Sequence, residues 1–230
     1  MSNEKDLSQL YNNRFSSITL QRKNDIWRII CKYFLQKFVN PSDTVVDVAC
    51  GYGEFINNID CKKKIAIDLN EDSKKFLNHD VNFSNESVFS INNIISKDKV
   101  DKIFISNFLE HLDSKTDLEN LLDQCRSVLS ANGQIIILGP NLRYLPGEYW
   151  DFYDHSLGLT HYSLQEVLKL KNFKIDYCLD KFLPYTTKSK LPSHPLLVRA
   201  YLMFPIAWKV LGKQFFIVAS INNSSKQEDE

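Results

Sequence analysis

Residues Val45–Phe55, VVDVACGYGEF, hold the densest set of groups that could do chemistry. An apolar run closes on the acid Asp47, and small residues follow at alternate positions, Ala49, Gly51 and Gly53. A buried strand running into a turn poor in side chains lets backbone N–H groups approach a ligand closely. A second apolar run, Lys64-Ile-Ala-Ile-Asp68, also ends in a carboxylate. Strand, small-residue turn, helix and a second strand tipped by an acid make a ribose-binding unit. The spacing argues against a nicotinamide site, because GxGxxG needs a small residue where Glu54 stands.

A second concentration lies in residues 139–162, GPNLRYLPGEYWDFYDHSLGLTHY. Tyr144, Tyr149, Trp150, Phe152 and Tyr153 alternate there with Glu148, Asp151, Asp154, His155 and His161. Aromatic faces beside carboxylates and imidazoles suit a polyhydroxylated ligand, the rings packing on C–H faces and the polar groups fixing hydroxyls. A reacting hydroxyl needs a base, and histidine is best matched near neutral pH. The order of candidates is His155, then His161, then Asp154. The alternative is a rigid loop packed by its aromatics, with the histidines as hydrogen-bonding struts.

The first stretch resembles motif I of the class I S-adenosylmethionine (SAM) methyltransferases, (D/E)xGxGxG, with Ala49 in place of the first glycine. The resemblance implies that Asp47, Ala49, Gly51, Tyr52 and Gly53 lie under the methionine and ribose of SAM. It also implies that Asp68, with Leu69 beside it, accepts both ribose hydroxyls; a carboxylate suits two O–H donors. Ser106-Asn107-Phe108-Leu109-Glu110-His111-Leu112 is similar to the (N/S)xxEHL signature after strand 4 of many small-molecule methyltransferases. By that likeness Asn107 and Phe108 line the adenosine and methionine side. Glu110-His111 then opens the next helix near the transferred methyl, or serves only as a capping and packing pair. Some relatives bind a divalent metal here, but the upstream carboxylates of that site are missing, so no metal is expected. The adenine position points to Glu86 or Ser87, and to Val88. In related chains an N-terminal aromatic and arginine fold over SAM, which implicates Tyr11 and Arg14; a surface tether is the other reading. Residues 141–216, including YLPGEYWDFYDH and FLPYTTKSKLP, resemble a bacterial subgroup that accompanies glycosyltransferases in polysaccharide and glycoconjugate synthesis. Lys188, Lys190 and Arg143 could then hold the phosphate of a nucleotide- or lipid-linked sugar.

Composition bounds the partners. The chain of 230 residues suits one domain, and its hydrophobic fraction of 43% is ample for a core. With 28 basic and 28 acidic residues there is no overall footprint for nucleic acid. The five cysteines are scattered without a CxxC pair, which reads as a reducing, cytoplasmic setting. The polar start MSNEKDLSQLYNN shows no secretory signal, and no apolar run is long enough to span a membrane.

The elements that must position these groups follow from periodicity. Apolar spacing predicts helices over Asp25–Val39, Gly53–Ile59, Asp72–Leu77 and Lys115–Leu129, the last ended by a turn at Asn132-Gly133. A further helix is expected over Ser163–Lys171, from a capping box Ser163-x-x-Glu166. Strands are expected at Thr44–Val48, Lys64–Asp68, Val81–Ser84, Val100–Ser106, Gln134–Gly139, Phe173–Cys178 and Gln214–Asn222. Alternating strands and helices predict an α/β, Rossmann-like doubly wound sheet, mostly parallel with an antiparallel edge, plus an N-terminal helix and an insertion over 180–213. Within the insertion, Leu196–Leu211 is apolar with Arg199, Lys209 and Pro205 interspersed. It suits a membrane surface, the core, a dimer contact or a lid. The tail over 222–230 is expected to be solvated.

The reading that results is a SAM-dependent methyltransferase acting on a hydroxyl of a sugar or glycan precursor, as a monomer or homodimer. The alternatives are a methyltransferase of another small molecule, such as a quinone precursor or lipid, and a non-catalytic SAM-fold partner subunit.

Overall fold

The computed structural model describes residues 17–95, 99–185 and 194–222. Tyr11, Arg14, Lys188, Lys190 and the tail beyond 222 lie outside the described residues.

Seven strands form one sheet: β1 (Thr44–Val48), β2 (Lys63–Ile67), β3 (Val81–Ser84), β4 (Val100–Ser106), β5 (Leu129–Pro140), β6 (Phe173–Leu179) and β7 (Gln214–Ile221). Their order is β3-β2-β1-β4-β5-β7-β6. Strands β1 to β5 run parallel, and β7 is antiparallel to both β5 and β6. The α-helices are α1 (Ser17–Tyr33), α2 (Ile91–Ile94), α3 (Lys115–Val128), α4 (His161–Leu170), α5 (Pro195–Met203) and α6 (Pro205–Leu211).

Apolar residues cover both faces, which is why the strands read as near-continuous apolar runs. Side chains alternate across the sheet with a period of two. Val46, Val48, Ile103 and Ile105 pack on α3 through Leu118, Leu121 and Leu122, and this core also takes in Leu164 and Leu168 of α4. Val45 and Phe104 face the other way, toward Ile30 and Phe34 near the end of α1, Phe55 and Trp208. Phe104 stacks on Phe55 at 3.7 Å between centroids and meets Trp27 of α1 edge-on.

The helices depart from the expected spans for local reasons. The N-terminal helix covers Ser17–Tyr33 and gives way to a 3-10 turn at Leu35–Phe38. The expected helix over 53–59 is a series of turns. Gly53 has φ 73°, which a right-handed helix cannot include. Asn57 and Asn58 then spend their side chains on local partners: Asn57 donates to the Phe76 carbonyl, and Asn58 donates to the Glu54 carbonyl and to Asn24. Residues Glu71–Phe76 are a 3-10 helix capped by Asn70. Helix α3 ends at Val128 because Leu129 turns extended and pairs with Val100. Lys102 then pairs with Gln134, so Asn132 and Gly133 lie in a bulge of β5 and not in a separate turn. The capping box of α4 is Thr160 with Ser163, three residues before the expected one, and it places His161 first in the helix.

Candidate active site

In a parallel sheet the ligand crevice opens outside the carboxyl ends of the strands, at the switch in strand order. Here the switch falls at β1, between β2 and β4. The residues leaving the parallel strands at that end are Ala49, Asp68, Asn85, Asn107 and Asn141.

The loop after β1 is built on left-handed backbone: Ala49 has φ 56°, Gly51 54° and Gly53 73°. Cys50 N–H donates to the Ile67 carbonyl at 3.1 Å, which ties the loop to β2. Gly51 N–H donates to Asp68 Oδ2 and Asn70 N–H to Asp68 Oδ1, each at 2.8 Å. One donor on each oxygen fixes the carboxylate plane and leaves both oxygens further lone pairs. Burial pushes the Asp68 carboxyl up, Glu54 adds to that, and the two N–H bonds work against it. Asn85 donates to the carbonyls of Asp68 and Leu69, bracing the exposed Leu69 segment from β3.

Asp47 lies under the loop. It is buried, and its carboxyl is raised well above the usual range by burial first and by Glu54 and Asp68, while the Ile56 N–H opposes the shift. Tyr52 packs edge-on against Phe76 at 4.6 Å. Lys23 of α1 meets Glu54 at 2.6 Å, so the N-terminal helix is pinned to this loop. Among the adenine candidates, Glu86 is exposed, Ser87 caps the short turn Val88–Ser90 through the Phe89 N–H, and Val88 is in the core.

Strand β4 leads to Asn107, whose φ is 48° and whose N–H donates to the Leu138 carbonyl at 2.9 Å. Asn107 is exposed and Phe108 is half-buried against the core. The backbone carbonyl of the buried Glu110 accepts the N–H groups of Ser156 and Leu157, clamping the 152–157 loop to this turn. Two of the three base candidates, Asp154 and His155, meet His111 there. His111 Nδ1 lies 2.9 Å from the Asp154 carbonyl oxygen and 3.5 Å from Asp154 Oδ2. A carbonyl only accepts, so Nδ1 carries a proton, and the lone pair the ring can offer is the one on Nε2. His155 packs edge-on to His111 at 5.0 Å and stacks on Phe152.

His161 belongs to a different group. Its Nδ1 lies 2.9 Å from Asn141 Nδ2, and the amide also donates to the Asp180 carbonyl. The amide nitrogen can only donate, so His161 Nδ1 accepts, and burial holds the ring below its usual pKa. Tyr144 OH closes the group on Asp180 Oδ2 at 2.5 Å. His161 therefore stands as a strut, and Arg143 lies over the Tyr162 ring. The aromatic run divides: Tyr149 is fully buried with its OH on the Leu157 carbonyl, while Trp150 and Tyr153 face outward.

Glu110, His111 and His155 bring ligand atoms within 4.8 Å of one another, a set able to hold a small divalent ion. The sequence led to no metal here; the fold adds His155 to Glu110 and His111 from another loop. Sequence reasoning also missed Asn85, Lys23 and Asn141. Asn141 carried a signal, being the first polar residue after β5 as Asn107 is after β4.

Residues 46–137 match the family model of a methyltransferase domain. That stretch runs from within β1 to within β5 and contains the loop, Asp68 and the Asn107–His111 turn. No curated protein sequence matches the chain. Solved structures share the fold. A SAM-dependent methyltransferase from Archaeoglobus fulgidus is 22% identical at a TM-score of 0.58, over 83% of this chain and 90% of that one. The N-methyltransferase NodS from Bradyrhizobium japonicum is 9% identical at 0.56, over 87% and 94%. The plantazolicin methyltransferase BamL, solved with a triazolic desmethylPZN analog and SAH, is 14% identical at 0.58, over 95% and 91%. The match to a methyltransferase domain model and the fold shared with SAM-dependent methyltransferases agree with the SAM expected from the sequence. The residues present fit it: left-handed backbone opens the loop, and Asp68 has acceptor capacity to spare.

Proposed function

We propose that this chain is a SAM-dependent O-methyltransferase whose acceptor is a hydroxyl of a sugar or glycan precursor, nucleotide- or lipid-linked. The observation that carries this is the meeting of His111, Asp154 and His155 beside Phe152, one strand away from the SAM loop. When bound, SAM supplies an electrophilic methyl. The chain's own residues do the rest. The loop over 49–53 and Asp68 hold the ribose and methionine, and Asn107 and Phe108 close the side toward β4. Asp154 orients His111, whose Nε2 takes the proton of the acceptor hydroxyl. His155 and Phe152 form the wall against which a sugar face packs. This order replaces His155 by His111 at the head of the base candidates, because His111 is the more exposed of the two and is oriented by Asp154.

Aligning two bound reactants can remove roughly 7–11 kcal/mol of barrier, and a base adds about 10²–10⁴-fold. A screen of nucleotide sugars and polyprenyl-linked sugars with labelled SAM tests the acceptor. Transfer to a sugar hydroxyl is the expected result. Labelling of a quinone precursor, a plain lipid or an amine instead would replace the acceptor class. SAM binding without turnover on any of them would favour the partner-subunit reading. His111→Ala is expected to lower kcat by about 10²–10⁴-fold with the Kd for SAM unchanged in calorimetry. An unchanged kcat would remove His111 from the reaction.

A further inference from the structure

Helices α5 and α6 present an apolar face outward. Their inner sides are anchored: Leu202 and Trp208 are buried, and Trp208 packs edge-on to Phe34 and Phe182. Trp208 Nε1–H donates to the Tyr201 carbonyl at 2.9 Å, and Tyr201 OH donates to the Phe182 carbonyl. The opposite sides carry Leu196, Leu197, Met203, Phe204, Ile206 and Val210, each at least half exposed. Phe204 and Pro205 form the joint between the helices, at the tip of the pair. A soluble surface rarely gathers this many large apolar side chains without something to cover them.

Charge says what covers them. Residues 181–227 contain seven lysines and arginines and no aspartate or glutamate. The chain as a whole is neutral, so the remainder carries an excess of seven negative charges. Arg199 and Lys209 flank the apolar face, and both are exposed. Arg199 lies over the Tyr33 ring at 4.7 Å, which fixes its height at the edge of the patch. A second copy of the same face would bring these cations against cations. An apolar face flanked by Arg199 and Lys209, on a segment without acidic residues, matches a bilayer carrying anionic headgroups. Neither helix is long enough to cross a membrane.

We propose that α5 and α6 form a monotopic docking surface for anionic lipid. Phe204 and Ile206 enter the acyl boundary, and Arg199 and Lys209 meet the headgroup phosphates. This stands on exposure and charge alone and holds whatever the acceptor of methyl transfer proves to be.

The test is co-sedimentation of the full chain with phosphatidylcholine vesicles, with and without phosphatidylglycerol. Binding is expected to the mixed vesicles and to weaken with salt. Phe204→Glu with Ile206→Glu should lower the partition roughly tenfold or more. Lys209→Glu should lower it by a smaller factor, and at an exposed position it leaves folding intact. All variants should bind SAM as the parent does. Wild type left in the supernatant with both vesicles overturns the proposal, as does a double variant that sediments like the parent. So does a homodimer in light scattering that the double variant converts to monomer, which would assign the face to a second copy.

Discussion

At the scale of single residues, the site is strained where it is most exposed to a ligand. Of the described non-glycine residues, only Ala49, Asn107 and Asn172 have positive φ, and two of these flank the switch in strand order. An L-residue there costs roughly 1–2 kcal/mol, so Ala49→Gly should raise stability by about 1 kcal/mol in denaturant melts without changing the fold. Asp68→Asn keeps the shape but gives up half of the acceptor capacity; calorimetry should show SAM affinity falling by roughly tenfold or more. Glu110 gives a pH signature. Burial raises its carboxyl above the ordinary value of 4.5, so the folded state holds the proton more tightly than the unfolded chain. Its contribution to stability is complete below that ordinary value and is lost as pH rises through the folded one. Unfolding midpoints measured between about pH 5 and about pH 8 should therefore slope downward less steeply in Glu110→Gln than in wild type. A residual slope is expected from Asp47 and Asp68, which are shifted the same way. Methyl transfer is expected to persist after EDTA treatment, because the proposed step runs on SAM and the His111 base and needs no ion. Loss of turnover restored by one divalent ion would make Glu110, His111 and His155 its ligands.

At the scale of elements, the strands were legible and the turns were not. Strands β1, β3 and β4 fall on the expected residues because burial on both faces leaves a run of apolar residues between polar ends. Asp68 could be placed because a carboxylate at the tip of an apolar run has few other reasons to be there. The 53–59 segment misled because its apolar spacing is helical, while the left-handed Gly53 and the side-chain bonds of Asn57 and Asn58 are contest terms that spacing does not contain. The three-residue error at α4 has a consequence: Thr160 as cap puts His161 beside Asn141 and removes it from the acceptor group. The meeting of His111 with Asp154 spans 43 residues and depends on the Glu110 carbonyl clamping Ser156 and Leu157, a tertiary contact no local pattern encodes.

At the scale of the whole molecule, the aromatic nucleus of Phe34, Phe182, Trp208 and Phe216 joins α1, the segment after β6, α6 and β7. Phe34→Ala should cost about 3–5 kcal/mol and lower the thermal midpoint. The same change should loosen α1 from the loop after β1, since that helix also carries Lys23 to Glu54. The position of β7 has its own consequence. It is later in sequence than both of its neighbours, yet it lies between them, antiparallel to each. During synthesis β5 and β6 are therefore complete while their shared partner is still unmade. Until Gln214–Ile221 emerges, the nascent chain carries the open edge of β5 and a β6 with nothing to join it to the sheet. Ribosome stalling or proteolytic clipping before that strand would leave an apolar edge ready to pair with other chains, and truncated forms should collect in aggregates, with no soluble partial sheet.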